Sequence, residues 1–128
     1  MLGYIEADLL KETRQASQLS VCDLKDALQR GDALQVLDAR TPGEWDSGHI
    51  EGARHIPLPK LTGGLKRLPK DAPLAVICGS GYRSTIATSL LLARGFPRVQ
   101  NVMGGIGAYQ ATKYAEWQAA DLVFSPMV

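Results

Sequence analysis

The sequence predicts an α/β fold built on a mostly parallel sheet. Three observations lead there. Runs of strand character alternate with runs of helical spacing, the order that a parallel sheet with crossover helices requires. One run, Leu74 to Cys78 (LAVIC), is apolar without a break and lies between Pro73 and Gly79, as in a central strand buried on both faces. Thirteen Gly and seven Pro punctuate the 128 residues, which suits many sharp turns better than a helical bundle.

Residues 1–16 are polar and helix-prone without a core pattern, and are expected to form an N-terminal extension or linker. Ser20-Val-Cys-Asp23 has the form of a capping box with Asp in place of Glu. Leu24, Ala27 and Leu28 follow at helical spacing, and Gly31 is a C-terminal stop. Ala33 to Ala39 (ALQVLDA) reads as a strand. Pro42-Gly43 opens a turn or short helix through Trp45. Ala53 to Ile56 is a second short strand, closed by Pro57 and Pro59. Leu61, Leu65 and Leu68, interleaved with Lys60, Lys66, Arg67 and Lys70, suggest a short amphipathic helix over 60–70. Its basic face is read most simply as solvated.

After the LAVIC strand, Ser84 to Arg94 reads as a helix with Ile86, Leu90 and Ala93 on one face. Leu91 and Leu92 widen that stripe, and Gly95 and Pro97 end it. Arg98 to Met103 (RVQNVM) is the last strand. Gly104-Gly105 turn the chain into a final helix near Gly107 to Trp117. Residues 118–128 form a tail in which Leu122, Val123 and Phe124 join Trp117 as an apolar group, packed back on the domain or open to a partner.

Composition excludes several classes. Fourteen basic against thirteen acidic residues leave a net charge of +1, with no electrostatic footprint for nucleic acid or an anionic membrane. Six per cent aromatics is too sparse for base-stacking platforms. Apolar residues, 45% of the chain, are spread throughout and argue against disorder. No apolar run approaches the ~18 to 20 residues of a spanning helix. The N-terminus, MLGYIEADLLKETR, carries acidic residues where a signal peptide has basic ones. A cytoplasmic location is expected, with Cys22 and Cys78 unbonded in a reducing compartment.

Three strand ends carry reactive or charged groups: Asp38-Ala39-Arg40, Cys78 to Arg83, and Met103 to Gly105. Ligands of parallel α/β sheets bind at the carboxyl ends of strands, so these segments locate the site. The centre is Cys78-Gly79-Ser80-Gly81-Tyr82-Arg83-Ser84, which joins a buried strand to a helix. Gly79 and Gly81 let the backbone curl, and a curled loop entering a helix N-terminus aims several N–H groups at one point. Those donors favour thiolate over thiol at Cys78. Arg83 adds a cation whose planar fork suits an oxyanion. The expected device is an activated Cys nucleophile acting on a small anionic substrate. A buried structural cysteine would be the ordinary reading of Cys78 alone, but it would not account for two glycines, Ser80 and an Arg in the next five positions.

The sequence resembles the rhodanese family of sulfurtransferases. LDAR (37–40) resembles the family's first strand motif, and EWDSGHIEGARHIPL (44–58) its Gly-His-Ile…Gly-Ala segment. VICGSGYRS (76–84) resembles the catalytic loop and NVMGGIGAYQ (101–110) the closing Gly-Gly motif. Together they span roughly 17 to 112 in family order, and a rhodanese domain is expected over 17–117. The resemblance implies a central, mostly parallel five-stranded sheet with helices on both faces. It implies that Cys78 accepts a sulfane sulfur from thiosulfate or a thiol persulfide such as glutathione persulfide. Loop amides from Gly79, Ser80, Gly81, Tyr82 and Ser84 would hold the anionic persulfide, Arg83 would orient the donor, and a thiol or cyanide would take the sulfur in a ping-pong cycle. No metal or organic cofactor is implied. CGSGYRS also looks like rhodanese domains linked to metallo-β-lactamase-fold persulfide dioxygenases, which points to such a partner domain.

Four residues separate Cys78 from Arg83. Related phosphatases and arsenate reductases have five, so the shorter cradle should suit a sulfur-sized group better than tetrahedral phosphate. A non-catalytic sulfur-carrier or interaction module is the competing class. Asp38, Arg40 and Glu44 are supporting candidates: the first two as a salt bridge that holds the loops, Glu44 as a partner for an Arg. His49 and His55 match no metal spacing, and His49 is expected to make structural hydrogen bonds. Tyr82 is expected on the rim of the pocket. Cys22, without a cradle, is expected to be inert.

Overall fold

Strand β4 (Leu74–Ile77) explains the rest of the sheet. All four of its residues are buried, so both of its edges and both of its faces must be covered. The computed structural model, which describes residues 17–112, supplies the neighbours. β2 (Gln35–Asp38) pairs along one edge and β5 (Val99–Val102) along the other; β3 (Arg54–His55) extends the sheet beyond β2, and β1 (Ser17–Leu19) extends it beyond β5. The order is β1-β5-β4-β2-β3, and every one of these pairings is parallel. Side chains alternate across β4: Leu74 and Val76 enter one apolar cluster, Ala75 and Ile77 the other. Leu37 and Val36 divide in the same way on β2, as do Val99 and Val102 on β5.

Helix α1 (Val21–Arg30) covers the Ala75 face with Val21 and Leu24. The Ser20 side chain accepts from the Asp23 amide at its start, and Gly31 caps its end. Helix α2 (Pro42–Asp46) begins in a full capping box: the Thr41 hydroxyl accepts from the Glu44 amide and the Glu44 carboxylate accepts from the Thr41 amide. The expected amphipathic helix over 60–70 is instead three short pieces. A 3₁₀ turn at Leu58–Lys60 leads into helix α3 (Leu61–Gly64), and a second 3₁₀ turn follows at Leu65–Arg67. The pair Gly63-Gly64 weakens a continuous helix there, and a Cβ at Gly64 would meet Ile56 at 3.0 Å. Leu61 and Leu68 still reach the Val76 core.

Helix α4 (Tyr82–Ala93) crosses that same face, but not as its apolar spacing predicts. Its buried residues are Ser84, Ala87, Thr88 and Leu91, whereas Ile86 is 43% exposed. Ser84 and Thr88 tolerate burial because each hydroxyl has partners, Thr88 donating to the Ser84 carbonyl at 2.7 Å. The final helix, α5, starts at residue 105, two positions before the expected start, and is described to residue 112. The N-terminal extension, the expected stretch of that helix to Trp117 and the apolar tail lie outside the described residues. No helix among the described residues is long and apolar enough to cross a membrane.

Candidate active site

The loop that leaves β4 returns on itself within three residues. Gly81 sits at φ +106°, a conformation closed to ordinary side chains without strain, and serves as the N-cap of α4. That turn brings two amides onto one atom. The N–H of Gly81 donates to Cys78 Sγ at 3.1 Å and the N–H of Ser84 at 3.2 Å. The Ser84 hydroxyl oxygen lies 3.4 Å from the same sulfur. Burial pushes the Cys78 thiol up, but its hydrogen bond with the Ser84 side chain and those from the Ser84, Gly81 and Ser80 amides outweigh it, and the thiol lies below its ordinary value. Cys78 is at the same time wholly buried, at 0% exposure.

The second wall comes from the Gly104-Gly105 turn. The Ile106 amide donates to the Cys78 carbonyl at 2.7 Å and the Gly107 amide to the Gly79 carbonyl at 3.1 Å. This approach is so close that a Cβ on Gly105 would overlap the backbone of Cys78 and Gly79. Gly105 is therefore fixed as glycine by contact as well as by its φ of +62°.

Arg83 and Glu44 form the outer rim. The guanidinium donates through Nη1 to Glu44 Oε1 at 2.6 Å and through Nη2 to Oε2 at 2.9 Å, a bidentate pair across α4 and α2. It lies over Gly79, where a Cβ would meet Arg83 Nη2 at 3.0 Å. The Arg83 guanidinium pulls the Glu44 carboxyl down to about 2, against the opposing effect of burial and with help from Thr41. The donor-orienting fork expected at Arg83 is thus filled by this chain's own carboxylate. Both side chains keep roughly a third of their surface in solvent.

Asp38 and Arg40 sit deeper, at 0% and 5% exposure. Arg40 donates to both Asp38 carboxylate oxygens, Nη2 to Oδ2 at 2.8 Å, and passes a further bond to the Gly48 carbonyl at 2.7 Å. The pair fastens the end of β2 to the 47–50 loop and contributes no free charge to the sulfur. Tyr82, at 75% exposure, extends into solvent, and Ser80 is exposed on the loop crest. The His49 and His55 rings stack on Trp45 with centroids 3.5 and 4.6 Å away. His49 Nδ1 lies 2.9 Å from the Trp45 carbonyl oxygen and His55 Nε2 2.8 Å from that of Arg40. No three His, Cys, Asp or Glu among the described residues are grouped to hold a metal. Cys22 is exposed on α1, outside this cluster.

Two residues of the site escaped the sequence reading. Asn101 on β5 accepts from the Ser84 hydroxyl at 2.5 Å and donates to Gln18 on β1 at 2.9 Å. A signal was available: Asn is depleted in strands, so an Asn within the buried strand VQNV marks a polar partner inside the sheet.

The rhodanese-like domain matches residues 20–112, which hold the cysteine loop, its Arg83 and the Gly-Gly turn. The chain belongs to the rhodanese-like family. This rhodanese-like chain is 35% identical over 89 residues to the thiosulfate sulfurtransferase GlpE of Pseudomonas putida, covering 70% of the chain and 81% of GlpE. It is 34% identical over 107 residues to the probable adenylyltransferase/sulfurtransferase MoeZ of Mycobacterium tuberculosis. There it covers 82% of the chain but spans only 27% of MoeZ. Among solved structures, the rhodanese-related protein of Thermoplasma volcanium matches with a TM-score of 0.69 at 32% identity, over 75% of this chain and 92% of that one.

Proposed function

We propose that this rhodanese-like chain is a sulfurtransferase that carries sulfane sulfur on Cys78. The observation that carries the reading is the pair of amides, Gly81 and Ser84, directed at one buried sulfur. Nothing in folding requires two main-chain donors to converge on a thiol, whereas an anionic sulfur needs them. With thiosulfate as donor, the Cys78 thiolate attacks the outer sulfur. The bond to the sulfonate sulfur breaks, and sulfite departs with the electron pair. Cys78 becomes a persulfide whose terminal sulfur is the negative atom. A thiolate or cyanide acceptor then attacks that terminal sulfur, forming a new persulfide or thiocyanate and returning the Cys78 thiolate. A thiol persulfide serves as donor by the same displacement, with its thiolate leaving. On this reading the loop residues Gly79, Ser80 and Tyr82 would lie around the second sulfur once it is bound. The cytoplasm, where both cysteines stay reduced, is the fitting compartment, and the CGSGYRS loop makes a metallo-β-lactamase-fold persulfide dioxygenase the fitting partner domain.

The full burial of Cys78 supports a second reading, a sulfur-carrier or interaction module without turnover on small molecules. Mass spectrometry separates them. After incubation with thiosulfate or glutathione persulfide, the wild type should gain the mass of one sulfur atom and Cys78→Ser should not. Cyanide should then discharge it as thiocyanate. A protein that takes up sulfur but passes none to thiols or cyanide is a carrier, and one that takes up none from any donor is not a sulfurtransferase.

A further inference from the structure

The Ser84 hydroxyl has one hydrogen and three acceptors around it. Asn101 Oδ1 is at 2.5 Å, the Gly81 carbonyl at 3.1 Å and Cys78 Sγ at 3.4 Å. The hydrogen goes to the nearest, Asn101. Asn101 Nδ2 in turn donates to Gln18 Oε1 at 2.9 Å, so the Cys78 S–H can donate to the Ser84 oxygen and start a chain that runs outward. Every bond then points from sulfur to surface, through α4, β5 and β1. This polarity suits a neutral thiol. It withholds the Ser84 hydrogen from a thiolate, which cannot donate and needs donors. Side-chain amides present a carbonyl oxygen and an NH₂ of nearly the same shape, so each can turn over in place.

We propose that the Ser84–Asn101–Gln18 chain reverses its polarity when the Cys78 sulfur becomes negative, making Asn101 and Gln18 positioning residues for the anionic sulfur. In the reversed state Gln18 donates to the Asn101 oxygen, Asn101 donates to the Ser84 oxygen, and the Ser84 hydroxyl donates to the sulfur. The proton given up by the thiol passes to water. Asn101 is buried and Gln18 is exposed on the edge strand, so the chain ends in solvent, where turning Gln18 meets no packing barrier. The charged groups facing the loop are Arg83 with Glu44, from α4 and α2, and Asp38 with Arg40, from the end of β2. β1 and β5 present only neutral side chains, so the sulfur draws on hydrogen-bond polarity from that side and not on charge.

The inference rests on Cys78 as the reactive sulfur, but its test reads ionisation alone and needs no sulfur transfer. In a Cys22→Ser background, thiolate absorbance in the ultraviolet is followed against pH. Asn101→Asp keeps shape but cannot donate to Ser84. Its titration midpoint should rise by about one pH unit, leaving about tenfold less thiolate near neutrality. Gln18→Glu, exposed and away from the core, fixes the outward polarity from the far end. It should raise the midpoint by less than that, with about a two- to threefold loss of thiolate. Plain charge repulsion would act with or without the hydroxyl, so each variant is repeated in Ser84→Ala. The displacements should shrink by at least half there. Equal displacements in both backgrounds would overturn the reversing chain, as would an unmoved midpoint in a folded Gln18→Glu protein. A protein inactive in every transfer assay but showing the coupled displacements would retain the chain while losing the proposed reaction.

Discussion

Glu44 decides how much positive charge Arg83 can offer an incoming donor. With both carboxylate oxygens engaged at 2.6 and 2.9 Å, the fork has no free edge, and a dianion such as thiosulfate must displace the carboxylate to use it. Glu44→Gln keeps the shape and the capping bond to Thr41 but removes the competing charge. The KM for thiosulfate should fall several-fold, while a less charged persulfide donor gains little; steady-state assays with both donors decide, and an unchanged donor ratio removes Glu44 from selectivity. The ion pair itself adds little stability. A pair this exposed contributes ~0.2–1 kcal/mol, so the same variant should lose less than about that much in urea unfolding. Its pH dependence has a fixed sign. Glu44 is held at about 2, below its unfolded value of 4.5, so its contribution is complete above 4.5 and fades as pH falls through that window. Any acid limb in activity near neutral pH must therefore come from another group. At this scale the sequence was informative where glycines and charges crowd together, as around Cys78 and Arg83. For Asn101 it held only the hint of an Asn inside a strand, and it was silent on Gln18 and on the contact between them, because the two lie 83 residues apart in sequence and meet only because β5 and β1 pair.

Elements were legible where composition allows one conformation only. The LAVIC strand, the Ser20 cap and the Gly31 stop are local features, set by neighbours in the chain. The face that α4 buries is not local. Spacing favoured Ile86, Leu90 and Ala93 with Leu91 and Leu92 beside them; the sheet took Leu91 and Ala87 into the core with Leu90 and Leu92 at its margin, left Ile86 and Ala93 exposed, and buried two hydroxyl residues, Ser84 and Thr88. Leu91→Ala should cost ~2–5 kcal/mol and Ile86→Ala less than about 1, since one opens a cavity in the core and the other trims an exposed side chain. β1 was missed because three residues, two of them exposed, carry no alternation to read. The Gly104-Gly105 turn shows an element set by approach. Gly105→Ala would drive a methyl group into the Cys78 and Gly79 backbone while also straining a φ of +62°. The loop must shift to admit it, so sulfur loading and thermal midpoint should fall together. Gly43→Ala, which meets nothing within 4 Å, is the matched control. A loaded, stable Gly105→Ala protein would mean that the turn does not wall the cradle.

Across the whole molecule, strand alternation dictated the fold class, but the order β1-β5-β4-β2-β3 was outside local reach, because parallel neighbours are brought together by crossovers and not by turns. That order gathers the β2, β4 and β5 ends at one edge of the sheet, and the Asp38–Arg40 pair holds them in register with the loops. Arg40 binds Asp38 below and the Gly48 carbonyl above, while its own carbonyl lies 2.8 Å from His55 Nε2 on the way out of β3. Both charges are buried, so their attraction is offset by the solvation they have lost, and the pair is not a large net stabiliser. Removing one partner is a different matter. Asp38→Asn keeps the volume but leaves the Arg40 cation buried against a neutral amide, which should cost ~3–5 kcal/mol, a sizeable part of the ~5–15 kcal/mol typical of a domain. The urea midpoint should drop with the slope unchanged, because the same surface is still exposed on unfolding. Since the pair faces the loops and not the sulfur, the residual folded protein should retain the wild-type thiolate titration at Cys78. A variant that unfolds at the wild-type midpoint, or one whose thiol titration moves while stability holds, would show that Asp38 serves the sulfur directly and is not the tie between sheet and loops.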